Sequence, residues 1–340
     1  MEGPVDPVEA WIGGQDAIPV VDDASVSLVR ERVRELGAQV RLPEVTTASL
    51  VSVASELAHN QVRHAHGGAV AIRTFVRGQE VGLEVIAADA GPGIVDVARA
   101  LEGRRSGPGS LGSGLAAVME LADEVDFDVR LGEGTCIWAR KLSSLQVRRR
   151  RVGIYGQAYE GEVLSGDDAA FVRTPDALLV GVIDGLGHGP EARDPAARSR
   201  CVLVEHPELD LEGILAQVDA ELHGTRGAVM TVARFQEAEG RLTLAAVGNV
   251  GAQYYGVHAS RRFGGSSFVL GSPGGARHIR PEAHDLGRMD ALVLFSDGVS
   301  SRMSLEEERG LLREHPIVIA QRVVERFGRS NDDVLVLVVA

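Results

Sequence analysis

The amino-acid sequence predicts an α+β protein with two domains. The chain has 340 residues, which is long for one typical domain and sufficient for two. Its first part begins with helical patterns and continues with alternating strands, whereas its second part consists mainly of strands with a few helices. Four consecutive arginines, Arg148 to Arg151, separate the two parts. We therefore expect a loose tail over residues 1–19, a first domain over 20–142, an arginine-rich linker over 143–151 and a second domain over 152–340.

The composition describes a globular protein without a general affinity for nucleic acid. Hydrophobic residues make up 44% of the chain and charged residues 24%, as is typical of globular proteins. A formal net charge of −13 gives no basic footprint for a nucleic-acid surface. Two cysteines without metal-binding spacing indicate no disulfide framework. Since we find no signal-peptide pattern and no apolar stretch of membrane-spanning length, we expect a cytoplasmic protein without a membrane partner.

Two helices and a strand pair open the first domain. Apolar residues at helical spacing predict a helix from Ser25 to Val40 and a second helix soon after it. On the second helix Glu56 and Asn60 are four residues apart, so their side chains share one face. Two alternating segments then predict paired strands, and the second of these ends at Asp89.

A glycine-rich loop divides the rest of the first domain. A short helix is expected near residues 95–101, and the loop GRRSGPGSLGSG follows it. The loop leads into a helix over 115–125, after which the strands DFDVRL and TCIWARK complete the domain. Free N–H groups and the helix dipole suit the start of that helix, at Gly114, to binding an anion. A flexible lid or linker is the alternative interpretation.

The polar residues of this domain admit two interpretations. A carboxylate and an amide on one helix face can orient a water and hold Mg²⁺. Asp89, at a strand end before two glycines, can accept a hydrogen bond from an exocyclic amine. Equally, Glu56 and Asn60 suit a solvated helix face, and DAGPG suits a β-turn.

Taken in order, ELAHNQVRHA, DAGPGI, SLGSGL and GEGT resemble the N, G1 and G2 boxes and the final Gly-x-Gly-Thr of the GHKL ATP-binding fold. The resemblance spans about residues 20–142 and is greatest to the RsbT-type switch kinases. It implies a Bergerat α/β sandwich that binds ATP and Mg²⁺. Glu56 would be the general base, Asn60 the Mg²⁺ ligand and Asp89 the residue that reads adenine. The other positions implied to lie beside the nucleotide are Gly91, Gly93, Gly112, Gly114 and Thr135.

Three positions depart from the switch-kinase pattern. Ser110 and Ser113 replace residues that are usually glycine and leucine in the loop. Glu133 stands where such proteins often carry lysine. Because an additional negative charge near the phosphates weakens ATP binding, these departures favour a first domain that binds without transferring phosphate.

Strand runs dominate the second domain. Segments such as ALLVGVID, RLTLAAVGNV and VLVLVV predict strands. Helical patterns are expected over about 191–205, 211–222 and 318–327. Strands packed under long helices suit a β-sandwich with helices on the outside.

Acidic residues at strand ends form the second group of candidates. Asp184 follows an apolar run and opens the glycine-rich turn DGLGHG, and Asp297 follows ALVLFS. Asp332-Asp333 precedes the final strand, and Asp167-Asp168 lies upstream in SGDDAAF. Hard divalent cations take carboxylate, carbonyl and water ligands, so this set indicates a two-metal hydrolase centre. Asp-Gly pairs are also ordinary turn residues, which is the structural alternative for each site alone.

The ordered set GDD, DGxGHG, SDG and NDD resembles the metal-dependent PPM-type serine/threonine phosphatases, in their SpoIIE-like branch. It covers about the last 190 residues. The resemblance implies two Mn²⁺ or Mg²⁺ ions bridged by Asp184, with the Gly185 carbonyl as a further ligand. Asp297 and Asp332 would complete one metal site, and Asp167 would support the other. His188 is the candidate for proton transfer to the leaving oxygen, although its position in a glycine turn also suits a structural role.

The fusion of the two resemblances implies a function. Such kinases and phosphatases act on opposite sides of one partner switch in stressosome signalling, on serine or threonine residues of STAS-domain proteins. We therefore expect an ATP-dependent kinase and a metal-dependent phosphatase for a STAS protein. Two alternatives stay open, in which only the phosphatase is catalytic. The first domain would then bind a STAS protein, a sigma factor or a downstream enzyme, or it would sense nucleotide and gate the phosphatase.

Overall fold

The computed structural model describes residues 7–13, 16–78, 80–102, 114–144, 149–159, 162, 164–257, 259–273, 279–287 and 290–340. The chain divides into two compact units, residues 1–151 and 152–340. Each unit combines helices with strands. The predicted α+β class is therefore confirmed.

The first unit is built on antiparallel strands in the order β1-β2-β3-β5-β4. Its helices are α1 (Pro7–Ile12), α2 (Asp23–Gln39), α3 (Glu44–His64), α4 (Val97–Glu102) and α5 (Gly114–Leu121), and its strands are β1 (Ile18–Val20), β2 (Gly68–Arg77), β3 (Glu80–Asp89), β4 (Glu124–Leu131) and β5 (Gly134–Leu142).

The long helices form where the apolar spacing predicts them. Asp22 caps α2 by accepting a hydrogen bond from the Ser25 backbone N–H at 2.8 Å, which satisfies a free donor of the first turn. On α3 the buried positions include Leu50, Ala54 and Leu57, one face of a helix with 3.6 residues per turn. This face packs on the strands and so fixes the height of Glu56 and Asn60 above them.

The N-terminal segment differs from the predicted loose tail. Within residues 1–19, α1 and part of β1 are ordered, and β1 pairs with β2. Ile12 is 3% exposed and packs with Ile86 and Ala88 of β3, while the Trp11 indole N–H donates to Asp128 at 2.9 Å. Side chains alternate between the two faces of a strand, so α1 covers the face opposite to α3. Helix α1 is held on the strands because Ile12 is buried there and Trp11 packs beside it, partly buried.

Arg148 lies outside the described residues, but Arg149 to Arg151 differ from the predicted linker. Arg150 is buried, at 8% exposure. The backbone N–H of Arg149 donates to Glu124 of β4 at 3.4 Å. Arg149 to Arg151 thus belong to the first unit, and the second unit begins at Val152.

The second unit has two antiparallel layers of strands with helices outside them. Its helices are α6 (Pro190–Glu205), α7 (Leu211–Glu221) and α8 (Pro316–Phe327), and its strands are β6 (Val152–Gln157), β7 (Asp167–Arg173), β8 (Leu178–Gly185), β9 (Ala228–Gln236), β10 (Arg241–Val247), β11 (Gly251–Tyr255), β12 (Ser260–Phe263), β13 (Glu282–Asp285), β14 (Ala291–Phe295) and β15 (Val334–Val339). One layer has the order β6-β15-β14-β11-β12 and the other β13-β10-β9-β8-β7.

Strand β8 shows why the apolar runs of this unit are nearly continuous. Val180 and Val182 belong to the core between the two layers. Leu179 and Ile183 belong to a second core under α6 and α7. Because both faces of β8 are covered, none of its residues from Leu178 to Ile183 has a polar side chain. The predicted sandwich with outer helices is confirmed, and Asp184 ends a strand that is fixed on both sides.

Candidate functional sites

The structure brings together four aspartates of the second unit that are distant in sequence. Asp167, the first residue of β7, is the register partner of Asp184 on β8. Asp297 follows β14, and Asp332 precedes β15. Electrostatic interactions join Asp184 to Asp297 and Asp332, and join Asp167 to Asp184. We refer to these four residues as the aspartate cluster.

Burial and mutual repulsion disfavour the ionised carboxylates of Asp167, Asp184 and Asp332 in this cluster. Burial, followed by the charges of Asp297 and Asp332, raises the pKa of Asp184 to about 8. Burial and the charge of Asp297 also raise the pKa of Asp332. Adjacent carboxylates disfavour one another's ionised forms. A divalent cation reverses this effect by adding a large positive charge, so the electrostatics of the cluster suit such a cation.

Asp167 supplies a second argument for a cation. Its side chain is 3% exposed, and burial followed by the charge of Asp184 raises its pKa well above the ordinary value. Its Oδ2 is buried without a hydrogen-bond partner among the described residues, a state that costs free energy unless a ligand satisfies it. In the described part of the chain no group of three or more acidic, histidine or cysteine side chains is placed to hold a metal ion by itself. Water and backbone oxygens would therefore complete the coordination of an ion held here.

The structure separates each aspartate of the two acidic pairs from its neighbour. Asp167 is directed to the cluster, whereas Asp168 lies 3.9 Å from the Arg200 guanidinium of α6. Asp333 accepts two backbone hydrogen bonds, from Tyr159 and Gly166. For Asp167 and Asp168 the alternation of side chains along β7 produces this separation.

His188 lies in the glycine turn that follows Asp184. Gly187 and Gly189 have φ angles of +103° and +69°, which favour glycine, and between them the His188 side chain is 69% exposed. Its Nδ1 is 3.0 Å from Glu162 Oε1, so Glu162 orients the ring. Glu162 is a site residue that the sequence analysis missed, because it stands in a loop without a motif.

The first unit contains a cavity of about 380 Å³. It lies between α3 and the ends of β3 and β5, with Asp89 and Thr135 as register partners at one side. Asn60 reaches the same cavity from α3. The lining residues are Leu57, Asn60, Gln61, His64, Ala65, Ala87, Asp89, Pro92, Gly93, Ile94, Val95, Ala100, Leu115, Thr135 and Ile137. A mostly apolar cavity with a few polar groups is the usual form of a small-molecule site.

Asp89 is the ionisable group at the buried side of this cavity. Its Oδ1 accepts a hydrogen bond from the Gly91 N–H at 2.9 Å. Burial raises the pKa of Asp89 to about 6, although backbone N–H groups of Gly91 and Thr135 oppose the rise. Asp89 is therefore a hydrogen-bond acceptor whose charge changes near neutral pH.

The start of α5 lies beside Glu56 and Asn60, the predicted general base and Mg²⁺ ligand. A Cβ added to Gly114 would be 3.0 Å from Glu56 Oε2 and 3.4 Å from Asn60 Oδ1. The first N–H groups of α5 are thus next to a carboxylate and an amide that could accompany a cation, an arrangement suited to phosphate with Mg²⁺. Gly112, Ser110 and Ser113 lie outside the described residues. Glu133 is buried in the β4–β5 turn and is not one of the cavity-lining residues.

Comparisons with known proteins match each of the two units to a protein family. Residues 20–141 match the histidine kinase-like ATPase domain, and residues 174–340 match stage II sporulation protein E, SpoIIE. The chain belongs to the histidine kinase-like ATPase family in its first unit and to the SpoIIE phosphatase family in its second.

Individual relatives agree with these families. The serine/threonine-protein kinase RsbT of Bacillus subtilis (strain 168) is 32% identical over 127 residues, which are 37% of this chain and 96% of RsbT. A second relative is a chain from a structure of the bacterial stressosome, a modular system that has been adapted to control secondary messenger signalling. It is 28% identical with a TM-score of 0.52, and the match spans 56% of the present chain and 98% of the stressosome chain. RsbX in complex with magnesium is 18% identical with a TM-score of 0.51, covers 57% of this chain and 96% of its own, and supports the fold alone.

The helices give no indication of a membrane span. None of those in the described ranges combines the length and the apolar character needed to cross a bilayer.

Proposed function

We propose that this protein is a two-way regulator of a partner switch. Its first unit transfers phosphate from ATP to a serine or threonine of a STAS-domain protein, and its second unit removes that phosphate. The observation that carries the phosphatase assignment is the aspartate cluster, with an unsatisfied oxygen on Asp167. ATP as the phosphate donor and a STAS protein as the substrate place the reaction in the cytoplasm.

The residues of the cluster have separate tasks in the proposed phosphatase. Asp184 would bridge two Mn²⁺ or Mg²⁺ ions, Asp297 and Asp332 would hold one of them, and Asp167 would support the other. When bound, such ions stabilise the developing charge of the phosphoryl group and supply a more acidic water. The chain contributes a fixed acidic frame in which the phosphate of a phosphoserine or phosphothreonine is presented.

His188 is the proposed proton donor of the second unit. Its exposed ring is open to a bound phosphoprotein. The carboxylate of Glu162, 3.0 Å from Nδ1, fixes the ring so that Nε2 is directed away from Glu162 and can give a proton to the leaving serine oxygen.

The cavity of the first unit supports a kinase role. Asp89 would accept a hydrogen bond from the adenine amine, and Asn60 would hold Mg²⁺. Glu56 would take the proton of the substrate hydroxyl. The relationship to the kinase RsbT supports this assignment.

The second candidate is a first unit that binds a partner or senses nucleotide without transferring phosphate. Glu133 favours it, because a carboxylate two residues from Thr135 stands where switch kinases often carry lysine. A STAS protein, a sigma factor or a downstream enzyme would then be the bound partner.

Transfer of label decides between the two candidates. The Asp184→Asn protein, which should not remove phosphate again, is mixed with labelled ATP, Mg²⁺ and the STAS protein encoded nearest to its gene. Label on the STAS protein supports the kinase. Absence of label, with Mn²⁺-dependent phosphatase activity in the unmutated chain, supports the binding or sensing unit. Absence of both activities would contradict the proposal.

ATP binding is expected to weaken as the pH falls. The ionised form of Asp89 accepts the adenine hydrogen bond best, and its pKa is about 6. If only this form binds, affinity drops about tenfold between pH 7 and pH 5. Calorimetric titration of a non-hydrolysable ATP analogue at both pH values measures this, with Asp89→Asn as the variant that should bind weakly and independently of pH. A constant affinity in the unmutated protein would exclude this role of Asp89.

Replacing Asn249 by alanine is expected to raise the Mn²⁺ concentration that the phosphatase needs for half-maximal activity. Asn249 lies in the connection from β10 to β11, and its Nδ2 donates to Asp297 Oδ2 at 2.8 Å. Loss of such an outer partner costs about 10- to 100-fold in metal affinity or activity. The measurement is the Mn²⁺ concentration for half-maximal phosphatase activity. Since Asn249 is exposed, thermal stability without metal should not change, and an unaltered Mn²⁺ dependence would refute the prediction.

A further inference from the structure

The Asp333 carboxylate accepts hydrogen bonds from both ends of the segment between β6 and β7. Its side chain is 3% exposed. Oδ1 accepts from the Tyr159 N–H at 2.6 Å, and Oδ2 accepts from the Gly166 N–H at 2.7 Å. Hydrogen bonds to a carboxylate are roughly twice as strong as neutral ones. One buried carboxylate therefore fastens both ends of a segment that also carries Glu162.

The same residue contacts the segments that carry the aspartate cluster. Gly166 directly precedes Asp167, and its carbonyl accepts a hydrogen bond from the Gly185 N–H at 3.2 Å, next to Asp184. Gly298, next to Asp297, packs so closely that a Cβ there would be 1.9 Å from the Asp333 carbonyl oxygen. Asp332 is its chain neighbour. Asp333 is thus joined directly to Asp332, through one glycine each to Asp167 and Asp297, and through Gly166 and Gly185 to Asp184.

We propose that Asp333 is a positioning residue that holds the aspartate cluster at its spacing before a cation binds. This inference rests on the proposed metal-dependent phosphatase. Like-charged carboxylates repel one another, so the cluster needs a frame that keeps them together in the metal-free protein. Asp333 provides this frame because each of its oxygens already accepts a backbone N–H.

The test is a titration of metal-free Asp333→Asn protein with Mn²⁺. Binding is measured as the decrease in the electron paramagnetic resonance signal of free Mn²⁺. Asparagine keeps one acceptor oxygen and turns an NH₂ group towards the other backbone N–H. We expect affinity for Mn²⁺ to fall about 10- to 100-fold. Phosphatase kcat should recover at saturating Mn²⁺, because the proposed ligands themselves are unchanged.

Asp168→Asn is the matched control. Asp168 is also a buried aspartate, 4% exposed, but it faces Arg200. Its replacement removes a buried carboxylate one residue from Asp167 without touching the hydrogen bonds of Asp333. We expect Mn²⁺ affinity to stay near that of the unmutated protein, whatever the change in stability.

Amide exchange in the absence of metal gives a second readout. In the unmutated protein the Tyr159 and Gly166 amides should exchange slowly, and in Asp333→Asn they should exchange faster. Fast exchange of both amides in the unmutated protein overturns the inference, even if the variant does not fold. Equal Mn²⁺ affinity in Asp333→Asn also overturns it, as does weaker affinity with unchanged exchange, which would make Asp333 a ligand. An unmutated protein that binds no Mn²⁺ would instead refute the proposed phosphatase.

Discussion

Asp184→Asn is expected to abolish phosphatase activity, with a loss of about 10³-fold or more. The proposed ligand role explains the size of the effect, since a catalytic metal supplies several kcal/mol of transition-state stabilisation and about 4 kcal/mol corresponds to 10³-fold. The assay is release of phosphate from a phosphorylated STAS protein in saturating Mn²⁺. Activity within about tenfold of the unmutated protein would remove Asp184 from the proposed centre.

The same variant should be more stable than the unmutated protein when metal is absent. The pKa of Asp184 is about 8 in the folded state and about 4 in an unfolded chain. The folded state therefore holds this proton more tightly, and the resulting stabilisation is present below pH 4 and is lost as the pH rises to 8. Asparagine carries no such proton, so the variant should lose less stability over this window.

Thermal unfolding in a chelator at pH 5 and pH 8 measures this difference. The stability of the unmutated protein should fall more between the two pH values than that of Asp184→Asn. Excess Mn²⁺ should raise the melting temperature of the unmutated protein and affect the variant less. An identical pH dependence in both proteins would show that repulsion at Asp184 does not limit the metal-free fold.

Asn60→Ala is expected to abolish transfer of label to the STAS protein, by about 10²-fold or more. In the proposed kinase Asn60 is the Mg²⁺ ligand, and loss of about 3 kcal/mol of metal-assisted stabilisation gives this factor. The residue lines the cavity and lies next to Gly114 at the start of α5. The measurement uses the Asp184→Asn background, so that transferred phosphate persists.

His59→Ala is the control for this variant. His59 is the preceding residue of α3, but it lies near Ser55 and Asp23 and does not line the cavity. It should transfer label at nearly the unmutated rate. Equal transfer by Asn60→Ala and the unmutated protein would contradict the proposed Mg²⁺ role, and equal loss in both variants would indicate damage to α3.

The sequence predicted the elements that carry a strong local pattern. Helices α2 and α3 follow from apolar residues at helical spacing, and β8 follows from its long apolar run between turn residues. Helix α1 was missed because a six-residue helix is marginal by itself and depends on tertiary packing of Trp11 and Ile12. The burial of Arg150 was missed because a run of like charges is ordinarily solvated.

The candidate sites show a similar limit. Motifs indicated Asp184, Asp297 and Asp89, because each follows an apolar run and stands one or two residues before a glycine. No local pattern indicated Glu162, whose importance comes from its distance to His188. The hydrogen bonds of Asp333 with Tyr159 and Gly166 span 174 and 167 residues, which only the folded topology brings together.

Helix α1 limits how the protein can be shortened for study. The family match begins at residue 20, and a fragment that starts there would lack the Trp11 and Ile12 side chains. The face formed by Ile86, Ala88 and neighbouring apolar residues would then meet water. A newly exposed apolar surface of this kind favours self-association. Fragments of the first unit should therefore keep the α1 segment, so that this apolar face stays covered at the concentrations that spectroscopy and crystallisation require.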